Sequence, residues 1–189
     1  MYALLLSFGV IFIAELGDKS QLMALTFAAR YRFWTVLGAI TAATAVVHLF
    51  SVGIGRLVGL ALPTRPITIV AGVAFLAFGV WTLRGDSLSD SDHARAQRST
   101  RSAFFAVAVA FFLAELGDKT MLATVALATK EDWVGTWVGS TLGMVTADAL
   151  AIALGSVLGR ALPQRTIKIA AAVLFFVFGA WLIVEGVKG

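Results

Sequence analysis

Hydrophobic residues run along this chain in six long blocks, near 3–29, 34–60, 66–84, 103–129, 133–159 and 166–185. Each is close to the ~20 residues a helix needs to cross the hydrocarbon of a bilayer. The short breaks between them carry stop signals: Arg30-Tyr31-Arg32, Pro63-Thr64-Arg65-Pro66, Lys130-Glu131-Asp132 and Pro163-Gln164-Arg165. The remaining break, from Arg84 to Ser102, is longer and polar, with His93, Arg95, Arg98, Arg101 and several Ser and Asp. It reads as a solvated connector with no packed structure of its own. The pattern predicts an all-α integral membrane protein with six transmembrane helices.

The chain is also duplicated. Residues 11–82 align with 111–182 without a gap, and 24 of the 72 positions are identical, so the halves descend from one unit. Matches reach far beyond the charged motif: Gly55 with Gly155, Gly59 with Gly159, Arg65 with Arg165 and Trp81 with Trp181. A unit of three spans is odd, so the second copy enters the membrane from the opposite side. The expected organisation is a first three-helix repeat (1–84), a polar linker (85–102) and a second, inverted three-helix repeat (103–189). Transporters of this plan carry their site near the midplane, where the repeats meet, and one repeat is expected to rock against the other. Loops on one side hold Arg30, Arg32, Arg84, Arg95, Arg98, Arg101, Arg160, Arg165 and Lys168, against Arg56, Arg65, Lys130 and Lys188 on the other. The positive-inside rule then places the linker in the cytoplasm and both termini outside.

Composition narrows the classes further. A 59% hydrophobic share, 14% charged residues and a mean hydropathy of +0.90 exclude an ordinary soluble domain. The net charge of +4 sits in short loops, where it serves orientation and gives no reason to expect nucleic acid. With no cysteine, a disulfide framework and a thiolate metal site are both excluded. The first apolar block lacks a basic leader and carries Glu15, Asp18 and Lys19, unlike a cleaved signal peptide.

Those charges are the chemistry. Glu15-Leu16-Gly17-Asp18-Lys19-Ser20 recurs one hundred residues later as Glu115-Leu116-Gly117-Asp118-Lys119-Thr120, each inside an apolar block where a charge costs at least about 2.5 kcal/mol. On a continuous helix Glu15 neighbours Asp18 and Lys19, and Asp18 neighbours Gln21; the second copy repeats this with Met121. Glu15, Asp18, Glu115 and Asp118 form a candidate divalent-cation site. Lys19 and Lys119 are expected to balance Glu15 and Glu115. The four carboxylates and two lysines carry a formal charge of −2, which one Mn²⁺, Ca²⁺ or Mg²⁺ neutralises with hard oxygen ligands. Protons held on the crowded, empty cluster would be displaced by an arriving cation, the chemistry of an antiporter. Gln21 and Met121 are candidate additional ligands. Ser20 and Thr120 either ligate or bond back to their own helix. Gly17 and Gly117 are expected to allow close helix packing, with local unwinding as the alternative.

Two further polar residues lie mid-block at equivalent positions, His48 and Asp148. His48 fits either a hydrogen-bonded core residue or a proton-coupling one. Asp148 could take protons, extend the metal site or pair with a motif lysine. The differences of His against Asp and Gln21 against Met121 bear on ion selectivity, since Mn²⁺ accepts nitrogen more readily than Ca²⁺ does. The Phe111-Phe112 and Phe175-Phe176 runs are read as packing or lipid contact, and the Gly55/Gly59 stripe fits packing within one protomer or between two, leaving the oligomeric state open.

Two copies of Glu-x-Gly-Asp-Lys-Ser/Thr in a duplicated six-span chain closely resemble the GDT-one family, also called the transmembrane protein 165 family and formerly uncharacterised protein family sixteen. The resemblance covers nearly the whole chain, and both motifs match without departure. It implies a cation/proton exchanger whose four motif carboxylates bind the ion, with the compact chain resembling a bacterial plasma-membrane member that exports Mn²⁺. It implies nothing about His48 or Asp148. The expected partners are membrane lipid, a divalent cation and protons, with no cofactor beyond the transported ion. The alternatives are an exporter of a cationic organic solute such as a basic amino acid, and a passive divalent-cation channel. An intramembrane hydrolase fits poorly: there are two histidines and no serine or threonine with an evident base beside it.

Overall fold

A computed structural model describes residues 1–61, 63–84, 103–158 and 164–188. Among these the chain is helical and contains no strand. The helices are α1 (Tyr2–Glu15), α2 (Lys19–Ala28), α3 (Phe33–Ala61), α4 (Thr64–Arg84), α5 (Ala103–Glu115), α6 (Lys119–Ala128), α7 (Trp133–Leu158) and α8 (Gln164–Lys188). Two short helices followed by two long ones in the first half are repeated in the second. Phe33–Ala61 and Arg65–Arg84 are each long and apolar enough to cross a membrane. The predicted linker 85–102, with Arg95, Arg98 and Arg101, lies outside the described residues, as do Gly159, Arg160 and Pro163.

The first and fourth hydrophobic blocks are each broken at the charged motif, where a continuous helix was expected. Gly17 (φ 76°) and Gly117 (φ 77°) adopt the left-handed conformation, which costs a residue with a side chain roughly 1–2 kcal/mol. Leu16 and Asp18 beside Gly17 are extended. A methyl group at Gly117 would meet nothing within 4 Å, so this glycine serves the backbone and not close packing, which corrects the expectation.

The halves interleave. The most extensive contacts join α4 to α8 and α1 to α7, and α3 lies against α5, α6 and α7. Gly139 and Gly143 on α7 let α1 approach so closely that a side chain at either would collide with the carbonyl of Leu4 or Phe8. Helices α4 and α8 run antiparallel, with Ile69 against Gly186 and Gly79 against Phe176; at their crossing, a methyl group on Gly72 or Gly179 would stand 2.8 Å from the other's carbonyl oxygen. Around that crossing Phe75 packs on Phe178 (ring centroids 4.8 Å apart) and Phe78 on Phe175 (6.1 Å). Lipid removes the hydrophobic drive between helices, so such close fits hold the pair together. Gly55 and Gly59 of α3 lie against Val125 and Ala128 of α6 and Thr129 just after it, so this stripe packs within the protomer.

Polarity is inverted relative to a soluble protein. Leu57, Leu60, Val70 and Val177 are exposed, whereas Glu15, Asp18, His48, Glu115, Asp118 and Asp148 are buried. That is the distribution expected when lipid is the solvent. At one end of the bundle the Arg56 guanidinium lies over the Trp133 ring (5.7 Å), and Lys130 pairs with Glu185 at 3.2 Å. Tyr2, at the start of α1, lines the same cavity as Lys130 and Glu185.

Candidate functional site

The two breaks place the motif side chains. Asp18 and Asp118 precede the first residues of α2 and α6, at the N-cap position, yet neither side chain caps its helix. The amides freed at the breaks are met from four residues ahead: Gly17 N–H donates to Gln21 Oε1 (2.8 Å) and Gly117 N–H to Met121 Sδ (3.1 Å). Gln21 and Met121, the candidate additional ligands, each satisfy at the break a donor that the lost helical turn would have engaged. Gln21 Nε2 also donates to the Ala147 carbonyl (3.1 Å), tying this break to α7.

With their caps unused, the aspartates turn to the opposite half. Lys119 Nζ donates to Asp18 Oδ1 at 2.6 Å, and Lys19 Nζ pairs with Asp118 Oδ1 at 3.0 Å. The lysines were expected against Glu15 and Glu115; their contact partners are the aspartates one repeat away, although Lys19 still acts electrostatically on Glu115. The break is the reason, since it removes the helical register that would have stacked Lys19 over Glu15. The glutamates take hydroxyl donors instead. Ser20 donates to Glu15 Oε1 and reaches Asp18 Oδ2 at 3.3 Å, and Thr120 donates to Glu115 Oε2 at 3.1 Å. Glu15 Oε2 and Glu115 Oε1 are buried without a hydrogen-bond partner among the described residues.

His48 and Asp148 are both buried, in different circumstances. His48 Nδ1 is 3.4 Å from Thr141 Oγ1, a partner that the sequence offered only through the identity of Thr41 and Thr141. Asp148 is fully buried, neither of its oxygens has a hydrogen-bond partner among the described residues, and it acts electrostatically on both Glu15 and Glu115. It does not form the lysine pair considered above. Between the two helices the equivalent residues Thr44 and Met144 touch, Oγ1 to Sδ at 3.5 Å.

Among the described residues no three Asp, Glu or His side chains lie close enough together to hold one metal ion. The motif carboxylates are two aspartates, each paired with a lysine of the opposite repeat, and two glutamates bonded to hydroxyl groups. Beyond them, two cavities of about 280 Å³ follow the seam between α1 and α8. The first ends at Ala14, next to Glu15. The second shares Leu6 and Phe178 with it and reaches Lys130, Glu131 and Glu185. Burial pushes the Glu131 carboxyl above its ordinary range, opposed by Lys130 and reinforced by Glu185. This outer cluster went unread in the sequence, where Glu185 merely ends an apolar block.

The family described as divalent cation/proton antiporter GDT1 matches residues 3–90 and 103–189. A Vibrio cholerae protein named "Putative manganese exporter" is 37% identical over 131 residues, covering 69% of this chain and 64% of its own length. A GDT1-like protein of Synechocystis is 29% identical over 89% of this chain and 90% of its own. GDT1-like protein 3 of rice (Oryza sativa subsp. indica) is 30% identical over 93% and 71%. No solved structure gives a significant match. With both halves matched and both charged motifs at the centre of the fold, the chain belongs to the GDT1 family of divalent cation/proton antiporters.

Proposed function

We propose that this protein is a secondary transporter that exports Mn²⁺, with Ca²⁺ as a further substrate, in exchange for protons. The observation that carries the reading is the crossed pairing of Lys119 with Asp18 and Lys19 with Asp118, flanked by the half-partnered carboxyls of Glu15 and Glu115. Lysine ammonium groups occupy the aspartates as exchangeable cations, and a divalent ion with hard-oxygen preference replaces them and draws the four carboxylates together. Protons return to the carboxyls when the ion leaves. Family membership and the Vibrio relative's name support manganese as the cargo.

The broken blocks α1–α2 and α5–α6 each make one span, giving six, and the second half is inverted relative to the first. The antiparallel course of α4 and α8 supports this, as does the grouping of Tyr2, Lys130 and Glu185 at one end. The protein belongs in a bacterial plasma membrane with the 85–102 linker cytoplasmic and the termini outside. The contacts of α1 with α7 and of α3 with α5 join the two halves, and they favour a motion other than the rocking of one repeat on the other. The moving body is the α4–α8 pair, which holds none of the motif residues and meets the rest along the cavity-lined seam.

Purified protein in liposomes loaded with a metal-sensitive dye tests the activity, with Mn²⁺, Ca²⁺ and Mg²⁺ compared under an imposed pH gradient. Mn²⁺ entry with proton counterflow, abolished in Glu15→Gln and Asp118→Asn, is the expected result. Flux indifferent to the proton gradient would make the protein a channel. Inhibition by a basic amino acid and not by Mn²⁺ would make it an organic-cation exporter.

A further inference from the structure

The charges of the site do not divide equally between the halves, and the imbalance lies on α7. Four motif carboxylates are two equivalent pairs, but Asp148 is a fifth whose equivalent is a histidine. His48 has a hydroxyl against its ring, Thr141. The equivalent hydroxyl on the other side, Thr41, donates instead to its own helix at the Leu37 carbonyl (2.7 Å), so Asp148 lacks what His48 has. The result is a carboxyl at 0% exposure with no hydrogen bond to either oxygen among the described residues. Such a group is costly at this depth and is retained where a cargo or a partner needs it.

Its surroundings indicate which. Asp148 follows Ala147, whose carbonyl is held by Gln21 and so tied to the Gly17 break. Its charge reaches Glu15 and Glu115 from the two halves, and that of Asp18 reaches it in turn. The lysines stand against the two aspartates. Glu15, Glu115 and Asp148 are thus the central carboxyls with no lysine in ion-pair contact among the described residues. We propose that Asp148 is a ligand of the transported cation, which draws it together with Glu15 and Glu115 as it binds, and that the residue type at this one-sided position sets the preference among divalent ions. The inference rests on the transport reading above and goes beyond the paired motifs. Carboxylate oxygen at position 148 suits Mn²⁺ and Ca²⁺ alike, whereas imidazole nitrogen there would favour Mn²⁺.

The test is Mn²⁺ and Ca²⁺ titration into the purified full chain, with flux in liposomes, for the wild type, Asp148→Asn and Asp148→His. The expected result is at least tenfold weaker binding of both ions in Asp148→Asn, and in Asp148→His a Mn²⁺/Ca²⁺ affinity ratio raised about tenfold. A purely structural role would change the melting temperature and leave that ratio alone. Wild-type affinities in Asp148→Asn with an unchanged ratio in Asp148→His overturn the proposal. If Asp148→Asn does not fold, the ratio in Asp148→His decides alone, because the equivalent position 48 already accommodates a buried histidine. A wild-type protein that binds neither ion would sink the transport reading and this inference with it; binding by the wild type with indifferent variants sinks the inference only.

Discussion

Lys119, at 3% side-chain exposure, donates to Asp18 at 2.6 Å across one hundred and one positions of sequence, and Lys19 stands by Asp118 in the reciprocal place at 19%. Removing one partner from a buried pair strands the other charge and costs about 3–5 kcal/mol, while a solvated pair is worth roughly 0–1 kcal/mol. Asp18→Asn should therefore lower the melting temperature in detergent more than Asp118→Asn does. The double change Asp18→Asn with Lys119→Met should recover much of the loss, because no unpaired ammonium is left. Equal losses in the two single variants, with no recovery in the double, would show that the crossed pairs do not form.

The break at Gly117 makes a separate claim. Its positive φ costs a substituted residue about 1–2 kcal/mol, and open space around the Cα means that no clash is added. For a chain of this size that corresponds to a fall of ~2–8 °C in melting temperature. Asparagine tolerates the left-handed region better than alanine, and a β-branched residue tolerates it worst. The expected order of stability is Gly117, Asn, Ala, Val. An alanine variant as stable as the wild type, with its Lys119–Asp18 pair intact, would mean the helix is continuous there.

Much of this arrangement was legible in the sequence, and the rest failed for identifiable reasons. Six apolar blocks, the duplication and the burial of Glu15, Asp18, Glu115 and Asp118 follow from patterning, because charge in an apolar block has few places to go. Helical spacing, however, placed Lys19 against Glu15 and offered Gln21 as a candidate ligand, and both readings assumed that the helix continued through Gly17. A left-handed glycine resets the register, and Gln21 then reaches back to the amide the break exposes. The appearance of glycine twice between carboxylates was the available signal, but close packing and unwinding leave the same mark in one sequence. The interleaving of halves was out of reach, since duplication fixes which residues are equivalent and not which ones touch.

The seam beside α8 supplies the last prediction. Lys130 Nζ, just beyond α6, meets Glu185 Oε1 of α8 at 3.2 Å, with the two side chains 24% and 46% exposed. A pair so solvated adds little to stability, so Glu185→Gln should leave the free energy of unfolding within about 1 kcal/mol of wild type. Its use lies in motion, because it bridges the α4–α8 pair and the end of the helix that begins with Lys119. The chain has no cysteine, which gives a clean background for Lys130→Cys with Glu185→Cys. Joining the two thiols with a short bifunctional reagent should arrest Mn²⁺ flux, and a reducible linker should let flux return on reduction, while each single cysteine variant stays active after the same treatment. If the joined protein transports at the wild-type rate, α8 does not move relative to α6, and the α4–α8 pair is scaffold rather than moving body.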